Sequence, residues 1–537
     1  MQKEPNYFPL RSLLLPPVGK RGDSPRFTVT REWVRSSPTK LAIVLRSRLW
    51  LLLVGIISEL LYFFYLLHDF PLTRYFGQRT FIEIITRYSR SSFLTFLIAF
   101  SILFVLFGLA WWQVRIFQDR ATLWIILGFG GIFALTTIFV YPITSPDLFT
   151  YFVRSLVMIQ YHINPIIIPP VQLNNDPLMQ LAGANITLSS PYGPLGILLQ
   201  ALPIVITGRN ILASLLLYKL LFSALLLATA FLVYKILSQI APKFALAGAL
   251  AVAWNPFVLF EYSINGHNDI VMMFFVVLAI FTLLKEHPVW ALTLLTASAL
   301  IKFASLVLIP LFLIYSLVHQ PTLQKRILYT IDAGIISLSL IINCFAPFWA
   351  GPQTLNRFFK QIQGHRYSFS AFVYSISSGS TSFQLAELIG WVLFGICFVY
   401  ALWLSSKDFS SLLKGCCLTM FALLLFSATY TQVWYLIWLF ALAVLIPQRW
   451  IVLAAIVPLY AATLEQPFDG YIFGWGANRS FSVATVNIIV YLVIFSPPVL
   501  FLLASWVRKI VLQSRSPALK PMLLMFILNL LIKIRWF

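Results

Sequence analysis

Long apolar runs separated by short polar loops dominate the chain. The runs fall at 49–67, 92–114, 122–143, 211–236, 244–262, 269–284, 289–302, 303–318, 327–346, 384–405, 415–429, 433–447, 450–463 and 483–505. The first three, LWLLLVGIISELLYFFYLLH, TFLIAFSILFVLFGLAWW and LWIILGFGGIFALTTIFVY, each hold about 18 residues or more, enough to cross ~30 Å of hydrocarbon as a helix. Inside lipid only helices and closed barrels satisfy their own backbone groups. The pattern therefore predicts an all-α polytopic membrane protein with roughly 12–14 transmembrane helices and external loops carrying interfacial helices.

Composition strengthens this reading, since 60% of the 537 residues are hydrophobic, 10% are charged and 48 are Phe. The net charge of +21 could suggest a nucleic-acid partner, but its placement argues against one. Residues 1–48 hold ten Lys/Arg and form a basic arm, expected to be cytoplasmic and poorly ordered, with no cleavable signal peptide. With that arm inside, loops 115–121, 235–243, 285–288, 319–326, 406–414, 447–450 and 507–520 also face the cytoplasm. Together with both termini they carry 26 of the 38 Lys/Arg, as the positive-inside rule requires. The charge thus describes topology. The expected divisions are the arm 1–48, a transmembrane domain 49–505, and a basic tail 506–537 with a short apolar segment. Two places strain the scheme: the outer loop 68–91 carries Arg74, Arg79, Arg87 and Arg90, and the run 194–208 must be re-entrant to keep parity. Cys344, Cys397, Cys416 and Cys417 have neither zinc-type nor redox-type spacing, and read as packing residues.

With this topology the unusual polar residues gather on the outer side: Asp147, Asp176, His267, Asn268, Asp269, Lys302, His365, Arg366, Asp469 and Arg479. An ionisable group at a membrane edge is costly and points to function. Asp147 stands where an apolar run ends, in TSPDLFTYFVRSLVMIQYHINP. Ser145-Pro146 starts a helix there, so Asp147 falls in a first turn favoured by the helix dipole. Tyr151, Arg154 and Met158 follow roughly a turn apart, as on an amphipathic helix lying at the interface. Simple helix capping is the competing account of Asp147. The helix is expected to end at Asn164-Pro165, ahead of Asp176-Pro177 and SSPYGPLG at 189–196. The whole segment 144–193 is a first large external loop, longer than a mere connection needs; 347–383 is the second.

The order of these features resembles the GT-C superfamily of membrane glycosyltransferases: an acidic residue opening the first large external loop, a Tyr-bearing helix, an Asn/Asp-Pro, then a Tyr-Gly-Pro-Leu turn. The likeness is closest to polyprenyl-phosphomannose-dependent α-mannosyltransferases of the lipomannan type. WNPFVLFEYSINGHNDIVM at 254–272, ALIKFASLVLIP at 299–310, TQVWYLIWLFAL at 431–442 and NRSFSV at 478–483 extend it over most of 140–500. The resemblance implies that Asp147 is the general base deprotonating the acceptor hydroxyl. It also implies an inverting transfer of a hexose, expected to be mannose, from a polyprenyl-phosphate carrier to a glycolipid or glycan acceptor. An inverting sugar transfer needs one carboxylate opposite the leaving group, and partial desolvation is expected to raise its pKa. A lipid phosphate leaves readily and needs cations, so Arg154, Lys302, Arg366 and Arg479 are the candidate clamps.

Tyr151, Tyr192, His267, Asn268, Asp269 and His365 complete the candidate substrate contacts, and for several a plainer account stands alongside. Asn268 or Asp269 could simply cap the helix after the Asn265-Gly266 turn. Lys302 could snorkel to the interface, Arg357 and Lys360 could face solvent or headgroups, and Trp434-Tyr435 could belong to an aromatic belt. Asn185-Ile-Thr187 and Asn478-Arg-Ser480 match glycosylation sequons, a pattern common by chance. No obligatory metal is expected, although Asp147, Asp176 and His267 could in principle meet around one. The expected partners are membrane lipid, the polyprenyl-phosphate-linked donor and the acceptor, with no nucleic acid. The expected setting is a bacterial plasma membrane with the site on its extracytoplasmic face. A flippase or transporter of lipid-linked sugars would place charges at mid-membrane on related repeats, and no such repeat is visible. A non-catalytic scaffold of an envelope-glycan assembly complex would tolerate change at Asp147.

Overall fold

The structure is a computed structural model that describes residues 47–77, 89–173, 175–355, 365–474 and 482–513. The arm 1–46, the tail 514–537, and Arg79, Arg87, Arg357, Lys360, Asn478 and Arg479 lie outside the described residues. Helices α1 (Arg48–Leu61, continued by a π-helical turn Tyr62–Leu67), α2 (Arg90–Val114) and α3 (Arg120–Ile138) open the chain. Then come α4 (Asp147–Ile159), α5 (Pro194–Thr207), α6 (Ile211–Ile240), α7 (Ala245–Ala253) and α8 (Pro256–Leu259), the last running into a π-helical turn Phe260–Ile264. The middle holds α9 (Asp269–Leu284), α10 (Pro288–Ile301), α11 (Ile309–His319) and α12 (Leu323–Phe345). The last third holds α13 (Phe369–Ile376), α14 (Phe383–Ser405), α15 (Phe409–Ala422), α16 (Leu436–Ala443), α17 (Arg449–Gly474) and α18 (Val483–Gln513). The described residues contain no strand.

The apolar runs become helices, several with ends displaced by several residues, and loop residues between them act as caps. Asp119 accepts from the Thr122 N–H at 2.9 Å and Asn210 from the Ala213 N–H at 3.0 Å, each satisfying a donor that a helix start leaves open. Among the described residues, eight helices are long and apolar enough to cross a membrane. The count is nine if the bent pair Pro242–Ala253 and Pro256–Ile264, meeting at 43°, forms one span. The bend lies where the run 244–262 was read as continuous: Pro256 interrupts it, and Asn255 Oδ1 caps the new start by accepting from Phe257 and Val258 N–H. Five more apolar runs form helices of only 10–17 residues; α9, with 16 residues, is about 24 Å long. The sequence expectation of 12–14 crossings thus divides into full-length spans and shorter helices. Apolar side chains such as Ile331, Ile335, Leu388 and Val392 are exposed, as on lipid-facing surfaces. The protein is an integral membrane protein.

Two packing features place the polar residues. First, α9 and α10 form an antiparallel hairpin through a three-residue turn, which returns the end of α10 to the start of α9. Second, α4 packs against α5, α6 and the 3₁₀ stretch Pro177–Thr187. Every residue from Leu148 to Val157 is buried, so α4 lacks the exposed polar face that its amphipathic pattern suggested. The 3₁₀ stretch Pro177–Thr187, α5 and α6 together cover α4. Its helix also ends earlier than Asn164-Pro165, at Ile159, and Asn164 instead donates to Phe348 O at 2.7 Å. The run 194–208 is the 14-residue α5. A Cβ on Gly193 would lie 2.1 Å from Leu300 O and one on Gly196 2.7 Å from Ile301 O. Only glycine lets the Tyr-Gly-Pro turn rest directly on the end of α10.

Candidate active site

Asp147 opens α4, its N–H donating to Ser145 Oγ at 3.2 Å. Three donors converge on one of its carboxylate oxygens. Oδ2 accepts from Tyr151 OH at 3.2 Å, from Tyr192 OH at 3.5 Å, and meets His267 Nδ1 at 3.2 Å. Tyr151 is one helical turn along α4, and Tyr192 arrives on the turn that Gly193 allows. Oδ1 receives no hydrogen bond from the described residues, and 19% of the side chain is exposed. The carboxylate is therefore anchored on one oxygen and open on the other.

His267 lies in the turn between the π-helical segment and α9, fully buried. Gly266 precedes it at φ +70°, and a Cβ there would meet Leu148 at 2.5 Å, so this tight turn against α4 requires glycine. The opposite ring nitrogen, Nε2, is 3.1 Å from Glu261 Oε2, an ion-pair contact lying off the hydrogen-bond axis. Trp434 stacks on the imidazole at 3.9 Å and 18°. Glu261 in turn accepts from Asn265 Nδ2 at 2.8 Å, and the same amide donates to Thr144 Oγ1 at 2.7 Å. The loop bearing Asp147 and the turn bearing His267 are thereby fastened together.

Beside this chain, the α9–α10 hairpin brings Lys302 to Asp269, with Nζ to Oδ1 at 2.6 Å. Trp438 Nε1 donates to the same oxygen at 2.7 Å. The ammonium also lies 4.4 Å from the Tyr435 ring centre and 4.9 Å from that of Trp438, within cation–π range. Asp269 is thus a counter-ion rather than a helix cap, and Lys302 is enclosed rather than snorkelling. Asn268 makes no side-chain cap, and its buried Oδ1 has no partner among the described residues; its N–H donates to Tyr151 OH at 3.3 Å. Arg154 is buried, donates from Nη2 to Leu188 O at 3.2 Å, and its Nε has no partner among the described residues. Three carboxylates (Asp147, Glu261, Asp269) and three basic groups (His267, Lys302, Arg154) share this region, as buried charge requires.

Burial pushes the Asp147 carboxyl upward, but the His267 hydrogen bond and the charges of His267, Lys302 and Arg154 outweigh it and hold its pKa below the usual range. The expectation that desolvation would raise it is corrected by these neighbours. For His267 burial acts downward, yet Asp147 and Glu261 prevail and push it up to about 9. At neutral pH the pair is a carboxylate and an imidazolium.

His365 and Arg366 build a second group. His365 Nδ1 lies 3.1 Å from Ser370 Oγ and 3.3 Å from Glu387 Oε1, and the ring stacks on Phe383 at 4.0 Å. Arg366 donates to Tyr367 OH at 2.9 Å and faces Glu465 at 3.7 Å. Its backbone pairs with Thr429 and Thr431, just before Trp434. Asp176 is spent structurally, capping Leu178 and pairing with Arg209 at 2.7 Å and Tyr161 at 2.7 Å, so it does not join Asp147 and His267. Asn185 donates to Thr150 at 3.2 Å.

Sequence reasoning missed Glu261 and undervalued Trp434, Tyr435 and Trp438. Glu261 is the sole carboxylate in the run 244–262, the same signal that singled out Asp147. The aromatic residues carried none, since a belt and a binding wall look alike in sequence.

Residues 65–318 match the family model described as Alpha-(1->6)-mannopyranosyltransferase, N-terminal domain. No curated protein matches the chain. The matched segment holds Asp147, Tyr151, Arg154, Tyr192, Glu261, His267, Asn268, Asp269 and Lys302; His365 and Arg366 lie beyond it. This segment is thus similar to a mannosyltransferase-family domain, consistent with the GT-C resemblance of the chain's motifs.

Proposed function

We propose that this mannosyltransferase-family protein moves a mannosyl group from a polyprenyl-phosphate carrier to a glycolipid or glycan acceptor, with inversion, at the extracytoplasmic face of a bacterial plasma membrane. Asp147 is the general base. The acceptor hydroxyl oxygen attacks C1 of the sugar and its proton passes to Asp147 Oδ1. The C1–O bond to phosphate breaks, and the lipid phosphate leaves with the bonding electrons. The observation that carries this reading is the asymmetry of the carboxylate: three donors fix Oδ2 while Oδ1 is open. A general base must hold its orientation while presenting a free lone pair to the incoming hydroxyl.

The remaining groups take roles by their chemistry. Arg154 and Lys302 supply positive charge for the leaving phosphate, with Asp269 and Trp438 keeping Lys302 in place. Asn268 Oδ1 is suited to accept from a sugar hydroxyl, because a buried acceptor left empty is costly. Arg366, beyond the matched segment, is assigned to the lipid-phosphate end of the donor, and Arg479 is assigned there by its motif alone; His365, held by Ser370 and Glu387, is given no part in the reaction. The reaction as written requires no metal.

The test is transfer by purified protein from a panel of polyprenyl-phosphate sugars, followed by analysis of the product and its anomeric configuration. Labelled mannose in the product, lost in Asp147→Asn at unchanged expression and thermal stability, is the expected result. Full transfer by the Asn variant would remove the base assignment, and lipid-linked sugar crossing the bilayer without transfer would favour a flippase. A reporter fused after residue 175 checks the facing; a cytoplasmic signal there would overturn the outer site.

A further inference from the structure

We propose that Glu261 is a positioning residue for Asp147, acting through His267: by keeping both nitrogens of the buried imidazole protonated, it makes the ring a fixed cation that holds Asp147 by Oδ2 and leaves Oδ1 to the acceptor. The inference rests on the reading of Asp147 as the base.

The geometry leaves little alternative for the ring. Nδ1 is 3.2 Å from Asp147 Oδ2 and Nε2 is 3.1 Å from Glu261 Oε2. A neutral imidazole has one N–H, so either tautomer would turn a lone pair toward one of the two carboxylates. Only the doubly protonated ring serves both. Trp434 covers its face at 3.9 Å, which fixes its plane and suits a cation. The ionisable groups around it are Asp147, Tyr151 and Arg154 from α4, Tyr192 from the turn before α5 and Glu261 from the π-helical segment. Asp269 from α9, Lys302 from the end of α10 and Tyr435 from the segment after Trp434 complete the set. Of these, Asp147 and Glu261 alone contact the ring nitrogens, and Asp147 is occupied with the reaction. Glu261 is thus the group free to keep the charge constant. Asn265, bonded to both Glu261 and Thr144, keeps it in place.

A charge-assisted hydrogen bond is roughly twice as strong as a neutral one. Loss of the ring's second proton therefore loosens the hold on Oδ2, and activity falls on the alkaline side as His267 titrates, at about 9. Removing Glu261 takes away one of the two nearby charges that sustain this state, a change that moves a titration by about 1–3 pH units.

The experiment compares the pH profile of transfer for the intact enzyme, Glu261→Gln and His267→Gln. In parallel it follows the His267 imidazole signal in protein carrying ¹³C-labelled histidine, assigned by its absence in His267→Gln. In Glu261→Gln both the alkaline limb and the His267 titration should move down by at least one pH unit. In His267→Gln the limb should vanish, leaving a lower and flat profile. If Glu261→Gln depresses activity evenly, with limb and signal unmoved, Glu261 is only structural and the proposal fails. It also fails if the signal moves while the limb stays, since the ring's charge would then not act on Asp147. Activity retained in Asp147→Asn would instead bring down the base assignment, a separate outcome from either.

Discussion

The two polar groups of this protein both fall on the outer side in the topology read from the sequence, and they differ in the structure. Around Asp147 every partner is buried or nearly so, the contacts run through several side chains in succession, and one carboxylate oxygen is left open. Around His365 the side chains are about one-third exposed, with 27% for His365 and 31% for Glu387, and each cation has its own local acid. The first arrangement spends burial on orientation. The second is the sort of surface pairing that contributes little. An ionisable residue on the right side of a membrane is therefore a weak sign of chemistry by itself; connected neighbours and one unsatisfied atom are a stronger one.

The sharpest way to break the contrast is Asp147→Asn. It should lower the transfer rate by about 10²–10⁴-fold, the usual worth of a general base, whereas His365→Gln should not. Next is Asp269→Asn, which leaves Lys302 buried without its counter-ion. Breaking a buried pair from one side costs about 3–5 kcal/mol, read as a fall in thermal stability. The double change Asp269→Leu with Lys302→Met should recover most of that stability but not activity, separating fold from function at this pair.

Stability should also follow pH through the first group. Asp147 has a depressed pKa, so its contribution is present above the ordinary carboxylate value of 3.8 and fades as pH falls through the lower folded value. His267 has a raised pKa, so its contribution is complete below 6.5 and fades as pH rises through about 9. The pair should support the fold best between these ordinary values, and Glu261→Gln should narrow the range at its alkaline end. The smallest effect belongs to the second group: His365→Gln should change stability by about 1 kcal/mol or less, with transfer nearly unaltered.

Much of the fold was legible because a membrane imposes a length and a hydropathy on each helix. α1, α6, α9 and α14 begin and end within a few residues of their apolar runs. The short α9 and α10 were also visible as runs, but their pairing was not, and that pairing is what unites Asp269 with Lys302. Asp147, Tyr151, Tyr192 and His267 were found because the unusual polarity of each, or its place in a motif, marked it. Glu261 escaped since its run was read as a plain span, and Asp176 misled because its pairing with the half-exposed Arg209 leaves no trace in sequence. The pKa of Asp147 was misjudged for a related reason: burial is readable from hydropathy, whereas two of the three charges that oppose it, His267 and Lys302, come from distant parts of the chain.

The π-helical turn Phe260–Ile264 has a consequence of another kind. Such a turn accommodates one more residue than the α-helix it interrupts, and here its hydrogen bond runs from the Asn265 N–H to Phe260 O at 2.8 Å. Deleting one residue from this stretch would let an ordinary helix form, with no loss of hydrophobicity and little change in length. It would also swing Glu261 by about 100° relative to the residues that follow, away from His267. Outside Glu261, this stretch should therefore tolerate volume-conserving apolar substitutions better than any change of residue number, a constraint on spacing that an insertion and deletion scan across 258–264 would reveal.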